Sequence, residues 1–366
     1  MTKELSPEIL KTKQHFEILD GLRGIAAVAI VLFHFMEMVY AFPKNFIGHG
    51  FLAVDFFFCL SGFVIAYAYD DRIEKMGIKE FFTSRLIRLQ PLVVLGSILG
   101  LLAFLFDPFG GSPEVYSAGK VVLIFICSLL MIPFPVITER SFNLFGLNAP
   151  AWSLFWEYVA NILYAFILSK LKRNYLLILA ILSAIALCYV SYRAEGLLGG
   201  WSGSNFWDGG ARIAYSFLAG MLIFRFNWII SSKLGFTGIS ILLSLAFLMP
   251  YSSWNWLTEL LVVLLYFPLI VALGAGAKLT DNVKKFCVFS GKISYPLYMT
   301  HYAVIWLFLN YYTKFQPATF ELALIIGIGT LLLIGIAYLT MVFYDTPVRR
   351  YFSNKRKTGR KQANQN

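Results

Sequence analysis

The chain of 366 residues is 58% hydrophobic and only 14% charged, whereas a soluble domain is about 45–50% apolar and about 25% charged. This composition excludes an ordinary soluble protein and predicts an all-α protein that crosses a membrane several times. The net charge of +11 does not indicate nucleic acid, because the basic residues cluster in short loops and in the terminal stretch KRKTGRK. That pattern is typical of membrane proteins that contact anionic lipid headgroups, so we predict membrane lipids among the partners.

Eleven apolar runs are candidates for membrane-spanning helices. They lie at 22–41, 51–69, 91–106, 119–137, 151–169, 174–192, 211–229, 236–250, 256–275, 288–310 and 321–344. We predict about ten transmembrane helices plus one broken or re-entrant segment in the region 91–137. The best candidate for that segment is 119–137, which contains Pro133 and Pro135. Irregular backbone at membrane depth is tolerated where it lines a cavity in the protein.

The distribution of basic residues favours this arrangement. With ten spans both termini are cytoplasmic, together with most of the Lys and Arg residues, whereas eleven spans would move many of them outside. The basic residues left outside are Lys44, Lys120, Arg140, Arg193, Arg212 and Lys314. We divide the chain into a cytoplasmic N-terminal segment (1–18), a membrane domain (19–348) and a basic cytoplasmic tail (349–366). The predicted location is the cell membrane, which is the inner membrane if the source is bacterial.

The first run, LDGLRGIAAVAIVLFHF (19–35), carries three ionisable groups that lipid disfavours: Asp20, Arg23 and His34. Arg23 and His34 are eleven residues apart, so they share one helix face, roughly 16 Å apart along the axis. Glu37, three residues beyond His34, falls near enough to pair with it. Taken singly, the arginine is explained by snorkelling and the histidine by a hydrogen bond to another helix. Together they favour a polar cavity.

The second run, FLAVDFFFCLSGFVIAYAY (51–69), contains Asp55, Ser61 and Gly62. The Ser-Gly pair is mainly expected to form a notch that lets two helices approach each other. Asp55, near the predicted exterior end, either binds substrate or pairs with an arginine.

The stretch IKEFFTSRLIRLQP (78–91) combines an apolar stripe with basic residues. It predicts an interfacial helix that leads into the run beginning at Pro91. Arg85 and Arg88 are three residues apart and therefore neighbours on this helix. Two adjacent guanidiniums form forked hydrogen bonds to phosphate oxygens, but anchoring to lipid headgroups explains the pair equally well.

The stretch NAPAWSLFWEYVANILY (148–164) places Ser153 and Glu157 four residues apart on one helix face. Glu157 would be costly against lipid, so we expect it to face the protein interior. Trp152 and Trp156 share an adjacent face. An interfacial aromatic belt and a wall of a substrate site explain the two tryptophans equally well.

The stretch FSGKISYPLYMTHYAVIW (289–306) places Ser294, Tyr298 and His301 at positions i, i+4 and i+7. Two hydroxyls and an imidazole therefore share one helix face. Pro296 is expected early in the helix or at a kink. Hydrogen bonds between helices account for this pattern without any catalytic role.

The four cysteines, Cys59, Cys127, Cys188 and Cys287, fall within or beside apolar runs, and the sequence has no CxxC pair. We interpret them as packing residues and predict neither disulfides nor a metal site.

Taken together, these stretches resemble the acyltransferase-3 family of integral-membrane O-acyltransferases over roughly 19–345. The matching residues are LDGLRG with Arg23-x10-His34, DFFFCLSGF with Ser61 and Gly62, Arg85-Leu-Ile-Arg88, AWSLFWE with Trp152, Ser153 and Glu157, and ISYPLYMTH with Ser294, Tyr295, Pro296 and His301. The sequence YDTP (344–347) stands where the family often has Glu-x-Pro, so the role of Asp345 stays open. Some members carry a further hydrolase-like domain after the last helix, and this chain is expected to be of the stand-alone type.

The resemblance implies an acyl-CoA donor in the cytoplasm, most commonly acetyl-CoA, and a hydroxyl acceptor on a carbohydrate or glycolipid, without a permanently bound cofactor. His34 would act as general base, with Arg23 either gripping the donor or steadying polar groups of the cavity. Glu157 would orient His34 or position the acceptor. Arg85 and Arg88 would bind the phosphates of CoA. The remaining residues expected around the acceptor or cavity are Asp20, Ser61, Trp152, Ser153, Ser294, Tyr298 and His301, and either Tyr298 or His301 would stabilise the oxyanion.

Two other functions remain open from the sequence. Intramembrane Arg, His and Glu also build proton-coupled transporters, although no internal repeat of the kind found in many transporters is evident. The aromatic, Gly-rich linker GLLGGWSGSNFWDGG (196–210) would suit a flippase for lipid-linked glycans. The sequence does not determine the acceptor, the acyl group or the oligomeric state. It is equally compatible with direct transfer and with a covalent acyl intermediate on His34.

Overall fold

The apolar runs fold as helices because lipid offers no hydrogen-bond partners to backbone N–H and C=O groups. The computed structural model describes residues 15–111, 113–279 and 281–363, without the side chains of 281, 282, 357 and 359–363. Within these ranges the regular structure is helical and no β-strand occurs. Most of the predicted N-terminal segment 1–18 lies outside the described residues.

The described helices are numbered α1 to α14 in chain order. They are α1 (Glu17–Glu37), α2 (Ala53–Tyr69), α3 (Ile73–Met76), α4 (Ile78–Leu105), α5 (Ala118–Leu129), α6 (Ala151–Phe166), α7 (Arg173–Arg193), α8 (Phe206–Arg225), α9 (Gly235–Phe247), α10 (Asn255–Leu261), α11 (Phe267–Gly276), α12 (Asp281–Phe315), α13 (Thr319–Thr340) and α14 (Thr346–Ala363). One π-helical turn joins α10 to α11, and another, Met341–Asp345, joins α13 to α14.

The chain is a multi-pass membrane protein. Each of the eleven predicted runs contains a helix. By length and composition, six helical segments of the described chain are long and apolar enough to cross a membrane: Glu17–Glu37, Gly50–Tyr69, Ile78–Leu105, Arg173–Arg193, Asn255–Gly276 and Thr319–Arg356. Helix α5 has only 12 residues, which corresponds to about 18 Å.

The predicted interfacial helix at 78–91 is wrong, because α4 continues without interruption through Pro91 for 28 residues. Two tyrosine hydroxyls stabilise the chain around the proline. Tyr295 donates a hydrogen bond to the Leu89 carbonyl (2.7 Å), and Tyr344 donates one to the Pro91 carbonyl (3.1 Å). Arg85 and Arg88 consequently belong to a helix that enters the bundle.

Glycines set the closest helix contacts. A Cβ added at Gly24 in α1 would lie 2.5 Å from the Cβ of Ser290 in α12, and one added at Gly62 in α2 would lie 2.0 Å from the carbonyl oxygen of Phe217 in α8. Small residues allow such close approach between membrane helices. The predicted Ser-Gly notch in the second run is therefore confirmed.

Buried ion pairs tie distant helices together. Arg212 of α8 pairs with Asp55 of α2 at 2.6 Å, and both residues are almost completely buried. Arg225, at the other end of α8, pairs with Asp70 at 2.7 Å. Of the two roles left open for Asp55, the structure shows the pairing with an arginine.

Candidate active site

A cavity of about 560 Å³ extends into the bundle from the N-terminal end of α1. It lies among α1, α2, α4, α6, α12 and the junction of α13 with α14. The sequence-predicted residues that line it are Asp20, Arg23, Ser61, Arg85, Arg88, Ser153, Glu157, Ser294 and Tyr298. Its volume is within the range typical of small-molecule sites. Of the predicted site residues, His34, Trp152 and His301 do not line it.

Arg23 turns towards α12 rather than snorkelling to the membrane surface. Its Nε donates a hydrogen bond to the Ser294 hydroxyl at 2.9 Å, and its Nη2 donates to the Gly291 carbonyl. The carboxylate of Asp20 lies 3.2 Å from Nη2. Arg23 thus joins α1 to α12 at the wall of the cavity.

Glu157 is bound to Arg85 and not to His34. The Arg85 Nη2 donates to the Glu157 carboxylate at 2.9 Å, and the Ser61 hydroxyl donates to the same oxygen at 2.5 Å. Asn161 donates to it as well, at 3.3 Å. The expectation that Glu157 orients His34 is therefore wrong, because Glu157 lines the cavity whereas His34 lies outside it and has Glu37 as its carboxylate partner.

Arg85 and Arg88 are neighbours in the helix but differ in environment. Arg85 is buried and paired with Glu157, whereas Arg88 is exposed where it lines the cavity. None of the described residues forms a hydrogen bond or an ion pair with Arg88. Arg88 is therefore the guanidinium that is available to an anionic ligand, while Arg85 mainly holds Glu157.

The charged residues of the cavity give it a positive balance. The described lining contains five cationic side chains, Arg23, Arg85, Arg88, Lys292 and Arg349, and three carboxylates, Asp20, Glu157 and Asp345. A cleft with low-dielectric walls focuses the electrostatic field of such charges and so attracts ligands of opposite sign. The cavity is therefore suited to a ligand with more than one negative charge.

Tyr298 and Ser153 form the polar part of the cavity wall away from the arginines. Their hydroxyls are hydrogen-bonded to each other at 2.6 Å, and both residues are buried. Phe57 packs edge-on against the Tyr298 ring, with the ring centroids 5.8 Å apart. A phenol fixed in this way can donate a hydrogen bond to a ligand oxygen.

His34 lies in a separate cluster near the C-terminal end of α1. Its Nδ1 is hydrogen-bonded to the Glu37 carboxylate, which is the contact predicted from the sequence. Its ring stacks on His301 (centroids 5.3 Å apart) and meets Tyr302 edge-on at 4.8 Å. Because a carboxylate only accepts hydrogen bonds, this contact assigns the proton to Nδ1 and leaves the lone pair on Nε2.

His301 stands between His34 and the cavity. It is completely buried, its Nδ1 is hydrogen-bonded to the Leu297 carbonyl at 3.0 Å, and its ring lies 6.0 Å from that of Tyr298. Its Nε2 has no hydrogen-bond partner among the described residues. The carbonyl assigns the proton to Nδ1, so neutral His301 presents an acceptor. Tyr298 is consequently the better placed of the two to donate to an oxyanion.

The two tryptophans belong neither to an interfacial belt nor to the cavity wall. Both are buried. Trp152 packs against the Arg212 guanidinium, 5.1 Å from its ring centroid, and Trp156 packs against Phe206 at 4.9 Å. Trp152 therefore supports the buried pair of Arg212 with Asp55.

Sequence reasoning missed three basic residues: Lys292 and Arg349 at the cavity, and Arg212 as the partner of Asp55. Lys292 and Arg349 line the cavity, although they were interpreted only as part of the general cytoplasmic charge. Arg349 follows Asp345 by four residues, a spacing that signals a helical ion pair. Arg212 was counted only as an outer-side charge, and no local signal marks it as the partner of Asp55.

A second cavity, of about 480 Å³, lies at the opposite end of α8 from Arg225. It is lined by Pro133, Pro135, Leu144, Arg193, Gly203, Ser204, Asn205, Phe206, Trp207 and Asp208. Trp207 is largely exposed, and Arg193 is paired with Asp208. The predicted exterior linker 196–210 thus forms a groove with an aromatic surface and polar groups.

The chain is similar in sequence to several known proteins. The chain is 36% identical over 163 residues to "Protein 2 in picA locus" of Rhizobium radiobacter, covering 42% of this chain and 82% of the relative. It is 26% identical over 369 residues to the peptidoglycan O-acetyltransferase OatA of Listeria monocytogenes, covering 93% of this chain and 56% of the relative. It is also 26% identical over 367 residues to the O-acetyltransferase OatA of Staphylococcus aureus, covering 91% of this chain and 57% of the relative.

The chain thus spans a little over half the length of the OatA relatives. No solved structure matches it. The family model Acyl_transf_3, described as an acyltransferase domain, matches residues 16–342. This range includes α1, α2, α4, α6 and α12, which line the first cavity, but not Asp345 and Arg349 at the junction of α13 with α14. The chain therefore belongs to the acyltransferase-3 family.

Proposed function

We propose that the protein transfers an acyl group, most simply acetyl, from cytoplasmic acyl-CoA to a hydroxyl of a cell-envelope carbohydrate. The observation that carries the proposal is the cationic cavity, in which Arg88 is exposed and has no carboxylate partner among the described residues. CoA brings several phosphate groups, and guanidiniums bind phosphate oxygens strongly. The names of the OatA relatives support acetyl as the acyl group and an envelope glycan as the acceptor.

We further propose that ten segments span the cell membrane and that α5 does not. A spanning helix needs about 20 residues, and α5 has 12. Both termini then face the cytoplasm, so that the cationic cavity opens towards the donor. The groove beside Trp207 opens on the other side, where a carbohydrate acceptor would arrive.

In the proposed reaction His34 is the general base. Its Nε2 takes the proton from the acceptor hydroxyl while the hydroxyl oxygen attacks the carbonyl carbon of the thioester. The tetrahedral intermediate then collapses, the C–S bond breaks, and the CoA thiolate takes the proton from His34. General base catalysis of this kind typically contributes about 10²–10⁴-fold.

The reacting thioester is placed between Tyr298 and His34. Tyr298 lines the cavity, and the His301 ring lies 6.0 Å from the Tyr298 ring and 5.3 Å from the His34 ring. The acyl end of the donor must therefore displace or pass His301 to reach the base. In that position the Tyr298 hydroxyl donates to the oxyanion, while Arg23 and Arg88 hold the donor at the other end.

The test uses membranes that contain the wild type, His34→Ala or His49→Ala at matched levels of folded protein, supplied with radiolabelled acetyl-CoA. His49 is a suitable control because it is also buried beside a carboxylate, 3.3 Å from Glu259, and does not line the cavity. We expect labelled envelope carbohydrate with the wild type and His49→Ala and none with His34→Ala. Equal labelling by all three would remove His34 from catalysis, and no labelling by any would contradict the proposed transfer.

A further inference from the structure

Asp345 and Arg349 form an ion pair at the junction of α13 with α14, and both line the cationic cavity. The Arg349 Nη2 lies 2.5 Å from the Asp345 Oδ2. Asp345 is buried, whereas the Arg349 side chain is 36% exposed. The carboxylate is therefore fixed in the protein, and the guanidinium extends from it to the cavity.

One acceptor atom of Asp345 and one donor atom of Arg349 have no hydrogen-bond partner among the described residues. These atoms, the Asp345 Oδ1 and the Arg349 Nε, are both buried. A buried polar atom without a partner is costly. Such atoms at the wall of a cavity indicate a place that is completed when a ligand or water binds.

The backbone at this junction is also unusual. The turn Met341–Asp345 is π-helical. Such turns are rare in proteins, but where they occur they are often at functional sites. Tyr344, inside the turn, donates a hydrogen bond to the Pro91 carbonyl of α4. Further along, Arg356 of α14 donates to the Ser84 hydroxyl at 2.7 Å and lies 3.4 Å from Glu80. Helix α14 is thus held against the helix that carries Arg88.

Three other guanidiniums lie within electrostatic range of Arg88, those of Arg85, Arg23 and Arg349. Arg349 interacts with both Arg23 and Arg88, and Arg23 interacts with Arg88. Arg23 has Asp20 and Arg349 has Asp345 as an ion-pair partner. Arg88 forms neither an ion pair nor a hydrogen bond with a described residue, and Asp345 attracts it only at longer range. The repulsion among them is relieved if a ligand with two or more separate negative groups enters.

We propose that Arg349 binds a second phosphate group of the donor while Arg88 binds the first, so that the C-terminal helix makes the site selective for a nucleotide-linked thioester. This inference rests on the proposed function. On binding, the Arg349 guanidinium shifts from Asp345 to share its donors with the phosphate. A CoA thioester carries a diphosphate and a 3′-phosphate, which supply separate anionic groups. An acyl phosphopantetheine carries one phosphate and engages Arg88 alone.

The test compares Arg349→Gln with Arg350→Gln in the full chain, reconstituted in nanodiscs. Arg350 is the matched control because it lies on the same helix, is exposed and does not line the cavity. Dissociation constants are measured by equilibrium dialysis for three probes: CoA, dephospho-CoA and 4′-phosphopantetheine. We expect Arg349→Gln to weaken CoA binding about tenfold or more, the size of effect typical of one charge-assisted hydrogen bond. The dissociation constant of Arg349→Gln for 4′-phosphopantetheine should equal that of the wild type. Arg350→Gln should bind all three probes as tightly as the wild type does.

The dephospho-CoA series identifies the group that Arg349 binds. If Arg349→Gln still weakens dephospho-CoA binding, the group is in the diphosphate, and if it does not, the group is the 3′-phosphate. Either result supports the proposal. Arg349→Lys retains the charge and should restore part of the affinity even if Arg349→Gln folds poorly.

Three results would overturn the inference while leaving the proposed function intact: equal CoA affinity in wild type and Arg349→Gln, an equal loss for all three probes, or the same loss in Arg350→Gln. If the wild type itself neither binds CoA nor transfers acetyl groups, the proposed function fails instead.

Discussion

The Nδ1 of His34 is hydrogen-bonded to the carboxylate of Glu37, one turn further along α1. The carboxylate therefore sets both the tautomer and the orientation of the imidazole, as the carboxylate does in a catalytic triad. Both side chains are partly exposed, at 16% and 20%, so a reacting group can approach them. The arrangement leads to the first prediction.

Replacing Glu37 by Gln should lower kcat at least tenfold and leave the KM for acetyl-CoA nearly unchanged. The amide keeps the shape of the side chain but no longer stabilises the imidazolium that forms when His34 takes a proton. Steady-state kinetics on reconstituted protein would measure the split between kcat and KM. Glu321→Gln, an exposed change at the start of α13, is the control, and an unchanged kcat in Glu37→Gln would show that Glu37 has only a structural role.

Arg85 and Arg88 should respond differently to the same substitution. Arg88→Gln should raise the KM for acetyl-CoA with little loss of stability, because Arg88 is exposed and unpaired within the described chain. Arg85→Gln should lower the free energy of unfolding by about 3–5 kcal/mol, because it leaves the Glu157 carboxylate buried without its partner.

Thermal unfolding in detergent and donor kinetics, applied to both variants, check this contrast. The double variant Arg85→Met with Glu157→Met should recover part of the stability, since replacing both members of a buried ion pair is often neutral. Equal effects of the two single changes on KM would mean that both arginines bind donor phosphates.

Gly62→Ala should destabilise the protein by at least about 1–3 kcal/mol, the usual cost of overpacking. The added Cβ would lie 2.0 Å from the Phe217 carbonyl oxygen, so α2 and α8 would have to separate. Gly327→Ala in the middle of α13 is the matched control, because nothing lies within 4 Å of its added Cβ and alanine favours a helix over glycine. A tolerated Gly62→Ala would be incompatible with the described contact.

Arg212→Gln should lower stability strongly without changing the affinity for CoA. The substitution leaves Asp55 buried without its ion pair, which typically costs about 3–5 kcal/mol, and Trp152 loses its cationic neighbour. Arg212 does not line the cationic cavity, so CoA binding by the folded fraction should equal that of the wild type. A specific loss of CoA affinity would instead connect this ion pair to the donor site.

The positions of the helices and several inward-facing residues could be predicted because membrane insertion imposes local rules. An apolar run of about 20 residues becomes a helix, and an ionisable group inside it must face the protein. This reasoning turned Arg23 and Glu157 inward, and both line the cavity. It also expected His34 to share that cavity with Arg23, whereas the structure places His34 outside it. It did not predict that the stretch 78–91 and the run beginning at Pro91 form one continuous helix, α4.

The sequence by itself determined that this is a helical membrane protein, which runs form its helices and that ionisable groups within those runs face the protein interior. Only the tertiary structure decided which partner each charge meets. Arg85 meets Glu157, 72 positions away, and Arg212 meets Asp55, 157 positions away. The physical reason is that helix periodicity sets the direction of a side chain, whereas its partner depends on which helices are neighbours in the bundle. Which helices become neighbours is decided by their shapes and by close packing over the whole chain.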